Sequence, residues 1–343
     1  MGADSFLERS TKSKLRPATR RAIAKFTVLV LVDETILIPG TSEPQNSDRF
    51  VVASLKKLVK RVEVKEFTGA KSLLHDLDVI KPDVVFNMTQ SAFDDRRKDA
   101  HICALLELQK IPYTGAGVRG LLLGRDKAIS KLIAARAGFR APAFFVVEPG
   151  PIRIPRDVKL PLIVKPRFGD ASEGISKHSL VKTPQALRAQ IARLRKQGIA
   201  DIICEEFIEG REMFIGMVGS SMVRPKEFVF GEGSHAPRFA TTTFKFDEKY
   251  RKRVKGKTKV AKLTPQELER LREICASAAN ALELGDYGRL DVRIGPDGDF
   301  YFLESNPNTG LAPPNTTWAG TWDPVDYDAM IGEITYRAYH RKR

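Results

Sequence analysis

The sequence predicts an α/β chain whose first third is a parallel sheet and whose C-terminal half turns α+β. Strand-like and helix-like segments alternate from Phe26 to about Lys110, the pattern of a parallel sheet covered by helices. Beyond Ile202, apolar runs follow one another with only short turns between them, which suits a more antiparallel layer. The stretch from Arg289 to Asn306 alternates apolar and polar residues around Asp297-Gly298, a strong two-residue turn signal.

The elements follow in order. Phe26 to Val32 reads as a buried strand, Arg49 to Arg61 as a helix, Pro82 to Asn87 as a short strand and Lys98 to Lys110 as a helix. A helix from Asp126, which caps it, shows an apolar face of Ile129, Leu132 and Ile133 and closes at Gly138. Strands over Ala143 to Val147 and Leu160 to Lys165 precede a glycine loop, Arg167 to Gly174, and a helix from Pro184 to Gln197. Ile202 to Phe207, Met213 to Gly219 and Met222 to Phe230 read as strands. After a basic loop, Thr264 with Pro265 and Glu267 forms a capping box for a helix to about Leu284.

The 343 residues suffice for two or three domains, and 42% hydrophobic residues exclude wholesale disorder. The longest apolar run, Phe26 to Val32, is far short of the roughly 20 residues of a membrane span. Three distant cysteines fit neither a disulfide framework nor a zinc site, so a reducing, cytoplasmic compartment is expected. Residues 1–25 hold no secretory signal pattern. The net charge of +15 raises nucleic acid as a partner, but three segments account for it. Met1 to Lys25, Lys245 to Lys262 and Arg337 to Arg343 carry +5, +7 and +4, leaving the rest at −1. Two tails and one loop are not a basic face, so nucleic acid is not expected, and both tails read as solvated, disordered ends.

The hairpin is the most informative stretch. A two-residue loop at Asp297-Gly298 would set Asp291 opposite Glu304 and Arg289 opposite Asn306, with Leu290, Val292 and Ile294 on the other face against Leu303 and Tyr301. Two opposed carboxylates repel. Either Arg289 and Arg293 neutralise them on a solvated face, or a divalent cation does, and an all-oxygen donor set suits Mg²⁺ or Mn²⁺ rather than zinc. Lys127 in the first turn of its helix opposes the helix dipole, a conflict that a phosphate would relieve. Lys165 ends a buried strand just before the glycine loop, where backbone N–H groups could meet phosphate oxygens. Glu205 to Glu212 leaves a strand and turns at Gly210, either as an acidic turn or as an edge that reads a purine and a ribose.

Together these pieces resemble the ATP-grasp superfamily, in its D-alanine–D-alanine ligase-like branch. The matching segments are Ile111 to Gly115, Asp126-Lys127, Ile163 to Pro166, Ser172 to Gly174, Glu205 to Glu212, Gly288 to Asp291 and Leu303 to Asn306, in family order from about Phe26 to Tyr339. The resemblance implies an ATP-grasp fold with a basic tail over residues 1–25, an N-terminal α/β domain over 26–122, a central subdomain over 123–210 and a C-terminal subdomain over 211–343. It implies that Lys127, Lys165 and Lys249 hold ATP phosphates, that Glu205, Glu206 and Ile208 line the adenine site, and that Glu212 binds the ribose. Asp291, Glu304 and Asn306 match the ligands of two Mg²⁺ (or Mn²⁺) ions; Arg289, Ser172 and Tyr250 match catalytic positions. The implied chemistry is ATP-dependent joining of a carboxylate to an amine through an acyl phosphate, on small amino-acid-like substrates, in a homodimer. The family's early glutamate motif is not recognisable around Val32 to Glu43; Ala171-Ser172 replaces a serine pair, and Pro307 to Asn315 replaces the acceptor-binding stretch, so D-alanine is not assigned. A ligase acting on a peptide or protein, or a non-catalytic nucleic-acid-binding protein, remain the alternatives.

Overall fold

The computed structural model of the chain describes residues 14–34, 44, 47–169, 174–231, 237–241, 245, 247–313, 320–323 and 325–341. The first layer is a parallel sheet of β1 (Thr27–Val32), β2 (Arg61–Glu66) and β3 (Val84–Asn87), with β1 in the centre. Side chains alternate across β1, and both faces are covered. Val28, Val30 and Val32 join Val51 and Leu55 of α2 (Asp48–Leu58), whereas Leu29 and Leu31 join Leu73, Leu77 and Ile80 of α3 (Ala70–Ile80). Cys103 and Leu106 of α4 (Asp99–Leu108) complete that second core. This two-sided burial is why β1 is apolar at successive positions.

The expected disordered tail over residues 1–25 is corrected in its described part. Pro17–Ile23 forms α1, with Pro17 in the first turn and Ile23 fully buried in the first core. Leu15 packs so closely on Gly332 that a Cβ there would lie 2.7 Å from its methyl carbon. The apolar residues between the arginines thus dock the segment despite its charge.

Next come α5 (Val118–Arg125) and α6 (Lys127–Arg136), followed by an antiparallel sheet in the order β4 (Phe144–Val147), β7 (Ile202–Glu206), β5 (Leu162–Pro166), β6 (Leu180–Val181). α7 (Pro184–Lys196), capped by Thr183, buries Leu187, Ile191 and Leu194 against that sheet. Asp126 caps α6 as expected, accepting from the Ala128 and Ile129 N–H groups at 3.0 and 3.2 Å. Of the expected apolar face of α6, only Ile133 packs on a core, beside Ala134. Ile129 and Leu132 are 41% and 59% exposed, and the buried face carries Lys127, Ser130, Lys131 and Ala134. The inward lysines meet acidic and carbonyl partners there, which a buried ammonium requires.

The largest sheet runs β11 (Lys257–Val260), β10 (Lys226–Val229), β8 (Arg211–Val218), β12 (Tyr287–Ile294), β13 (Phe300–Pro307), with β9 (Ser221–Met222) on β8. The single strand expected over Met222 to Phe230 is split at Pro225, which cannot donate to a ladder. The expected basic loop instead contains α8 (Glu248–Arg253), capped by Asp247, and the edge strand β11. α9 (Pro265–Ala281) has the expected capping box: Thr264 Oγ1 accepts from Glu267 N at 3.2 Å, and Glu267 accepts from Thr264 N at 2.7 Å.

α10 (Tyr327–His340) returns to the first core, where Met330, Ile331 and Ile334 are buried. The expected solvated C-terminal end is likewise corrected. Arg341 donates to the Gly115 and Tyr113 carbonyls at 2.7 and 3.0 Å and lies 3.0 Å from Asp286, tying the end of the chain to the turn after β3. Among the described residues no helix is long and apolar enough to cross a membrane.

Candidate active site

The β12–β13 hairpin brings its acids together by a route other than the one expected. The loop is five residues, 295–299, because Ile294 pairs with Phe300. On that register Leu303 would face Asp291, and Glu304 would point into the core. A bulge between the Val292–Phe302 and Asp291–Glu304 pairs adds one residue to β13 and restores the expected pairing: Asp291 opposite Glu304, Arg289 opposite Asn306. The apolar face is corrected accordingly. Leu290, Val292 and Ile294 pack with Phe300 and Phe302, not with Leu303 and Tyr301.

Asp291 and Asn306 are each 5% exposed. Arg289 clamps Asp291 in two hydrogen bonds, Nε to Oδ1 at 2.6 Å and a terminal nitrogen to Oδ2 at 2.9 Å. Burial and the neighbouring Glu304 charge push the Asp291 carboxyl above its usual range, against the opposing pull of Arg289. Burial works the same way on Glu304, but Lys127, Lys245, Lys165 and Arg289 outweigh it and hold that carboxyl at about 2. Two facing buried carboxylates plus the Asn306 amide, whose Nδ2 is buried without a partner, form an all-oxygen donor set that fits a hard divalent cation. Among the described residues no group of three or more His, Cys, Asp or Glu side chains is placed to hold a metal ion.

Three lysines converge on this hairpin from the neighbouring layer. Lys165 at the end of β5 meets Glu205 Oε1 at 2.5 Å, and Lys131 meets Glu205 Oε2 at 3.0 Å. Lys131 also donates to the Leu303 carbonyl on the bulge. Lys127 donates to the Gly169 carbonyl at 2.7 Å and stands 3.8 Å from Glu304 Oε2. Burial depresses Lys131 to about 8, with Lys165 adding to the effect. Burial acts on Lys165 too, but Glu205 and Glu304 outweigh it and raise its pKa. Glu205 is held below its usual range because the two lysines outweigh its own desolvation.

A slot opens beside these charges. Its apolar walls are Ile163, Ile175, Phe207, Ile208, Phe239 and Leu303, and Glu206, Glu212, Lys165 and Lys245 also reach it. Glu212 is paired with Arg293, which is 3% exposed and also donates to the Ile208 carbonyl at 2.8 Å. Arg293 is therefore no surface counter-ion to Asp291 and Glu304; it fixes the wall of the slot. Apolar walls, an acid at one side and cations beside an oxygen-donor pair suit a nucleoside polyphosphate with a divalent cation, and the slot, about 60 Å³ as it stands, must open to take a purine.

Of the residues expected at the site, Lys165, Glu205, Glu206, Ile208, Glu212, Asp291 and Glu304 line this one slot; Lys127, Arg289 and Asn306 adjoin it through the contacts above. Lys249 is exposed on α8, and Tyr250 packs with Phe214 and Phe228; neither lines the slot. Ser172, with Asp170 to Glu173 of the glycine loop, lies outside the described residues, as do Phe246, residues 35–43 and Pro314-Asn315. Lys131, Lys245 and Arg293 escaped sequence reasoning as site residues. A wider cleft of about 950 Å³ between α5, α9 and α10 holds none of these groups, and six of its charged side chains pair with one another as Arg119–Glu283, Arg337–Glu333 and Arg341–Asp286.

A family profile described as "D-ala D-ala ligase C-terminus" matches residues 150–322. A D-alanine–D-alanine ligase of an Arthrobacter species is 30% identical over 330 residues, covering 90% of this chain and 83% of its own length. An uncharacterized protein, y4sG, of Sinorhizobium fredii is 30% identical over 272 residues, 76% of this chain and 78% of its own. Among solved structures, D-alanine–D-alanine ligase from Bacillus anthracis complexed with ATP superposes with a TM-score of 0.69 at 18% identity, over 91% of this chain and 97% of that one. That last likeness speaks to the fold, and the fold is ATP-grasp.

Proposed function

The chain belongs to the D-alanine–D-alanine ligase family, and on that premise we propose that it joins a carboxylate to an amine at the expense of ATP. The observation that carries the proposal is the bulged register that sets Asp291 against Glu304 beneath the lysine cluster.

In this reading the purine lies in the slot between Ile163, Phe207 and Leu303, with Glu212 beside the ribose. Lys127 and Lys165 turn from Gly169 and Glu205 to the phosphates, and Lys245, which also lines the slot, joins them. Asp291, Glu304 and Asn306 would hold two Mg²⁺ ions, which when bound supply charge neutralisation for the phosphates. A substrate carboxylate oxygen attacks the γ-phosphorus; the bond to the ADP oxygen breaks, leaving ADP and an acyl phosphate. The amine then attacks the acyl carbon, phosphate departs with the former carboxylate oxygen, and the amine loses a proton as the peptide-like bond forms. Arg289, once released from Asp291, neutralises the anionic acyl centre. The family premise also supports a division at residues 26–122, 123–210 and 211–343, a homodimer, and action in the cytoplasm on small amino acids.

Coupled ADP release with a panel of D- and L-amino acids tests the proposal. Mg²⁺-dependent turnover with at least one pair is expected, falling by at least about 100-fold in Asp291→Asn. No turnover with any member would contradict it. A second reading, a ligase acting on an acidic peptide, is favoured by seven exposed cations between Lys249 and Lys262 and predicts turnover only when such a peptide is added.

A further inference from the structure

We infer that Lys131 is a positioning residue that couples the nucleotide half of the site to the carboxylate hairpin; this rests on the ATP-site reading above. Its side chain is fully buried and does not line the slot, so it stands behind the site rather than in it. Its ammonium has partners on two different sheets, the Glu205 carboxylate on β7 and the Leu303 carbonyl on β13. The Phe302 ring lies 5.8 Å from Nζ and closes the remaining side.

Two consequences follow from that placement. Lys165 and Lys131 share one carboxylate, and only Lys165 faces the slot. When Lys165 turns to a phosphate, Glu205 stays buried and charged, a strongly unfavourable state unless a second cation remains. Lys131 is that cation, so it makes Lys165 transferable. The second consequence concerns the hairpin. Leu303 is the extra residue of the bulge, and the bulge is what turns Glu304 towards Asp291. By holding the Leu303 carbonyl, Lys131 fixes the spacing of the metal-binding oxygens without touching them. A single buried ammonium thereby sets both the phosphate lysine and the carboxylate pair.

The test is a double-mutant cycle of Lys131→Met and Glu205→Gln on the full chain, read by the dissociation constant for metal-free ATP (in EDTA) and, without ATP, by Mn²⁺ binding in electron paramagnetic resonance. Lys131→Met is expected to weaken ATP and Mn²⁺ each by about tenfold or more. Because Lys131 acts on the nucleotide through Glu205, the double variant is expected to bind ATP within about twofold of Glu205→Gln alone. Mn²⁺ binding is expected to remain weakened in the double variant, because the Leu303 contact is lost in both. Should Lys131→Met alone fail to fold, the double variant, in which the buried charges are removed together, carries the same comparisons against Glu205→Gln. A folded Lys131→Met with wild-type affinity for ATP and Mn²⁺ would overturn the inference. So would a further tenfold loss of ATP affinity from Glu205→Gln to the double variant, which would mean direct contact with the nucleotide. Wild-type protein that binds no ATP would overturn the site reading itself, a result distinct from either.

Discussion

At the scale of single residues, the site divides into groups that a sequence displays and groups that it hides. Asp291 and Glu304 are legible because acids on an alternating apolar hairpin contradict an ordinary sheet. Lys131 is not, because a lysine on a helix resembles any solvated position. The neighbouring Ile129 and Leu132 look like core and lie outside it, since helical periodicity reports an apolar stripe but not which face a charged pocket claims. Arg293 misleads in the same way: beside two acids it looks like their counter-ion, yet it holds Glu212. One buried acid outside the site gives a test in solution. Burial pushes Asp286 up to about 6 from 3.8, although Arg341 and the Gly115 N–H pull it down. The folded chain keeps that proton where the unfolded chain has released it, so stability falls as pH rises from about 4 to about 6. Denaturant midpoints across pH 4 to 7 should show the wild type losing up to about 3 kcal/mol relative to Asp286→Asn over that window. Parallel pH curves for the two proteins would contradict the assignment.

At the scale of elements, boundaries follow from local chemistry wherever a side chain satisfies the backbone. Asp126 and Thr264 cap the helices expected of them, and Thr183 adds a cap to α7 beyond those expected. Thr264→Ala removes the Oγ1 arm of its capping box, leaving the backbone N–H of residue 264 to donate to Glu267, and should destabilise the protein by about 1 kcal/mol in urea, without changing the affinity for ATP. An unchanged midpoint would show that the box contributes nothing. The hairpin pairs Asp291 with Glu304, as the turn signal predicts, through two local features that the sequence does not display. A five-residue loop and a one-residue bulge offset each other, so the pairing near the site agrees with a tight turn while the far end, Ile294 with Phe300, does not. No residue pattern marks the bulge in advance, because what stabilises it is a lysine more than 170 residues earlier, Lys131, bonded to its carbonyl. The basic segment became a helix and an edge strand for a related reason. Tyr250 and Val254 find partners in Phe214 of β8 and Phe228 of β10, which no local window contains.

At the scale of the whole molecule, three sheets bring lysines from one layer over the acids of another, and that juxtaposition supports the proposed chemistry. The charge of +15 is mostly peripheral, but part of it is structural: Arg341 fastens the last helix to Tyr113, Gly115 and Asp286. The central claim is that a carboxylate is activated by phosphorylation. It is tested most directly with a turnover-competent amino acid labelled with oxygen-18 in its carboxylate, analysing the released phosphate by mass spectrometry. The account predicts one labelled oxygen in each phosphate formed, because the attacking carboxylate oxygen leaves with the phosphorus. Phosphate released without label would contradict it.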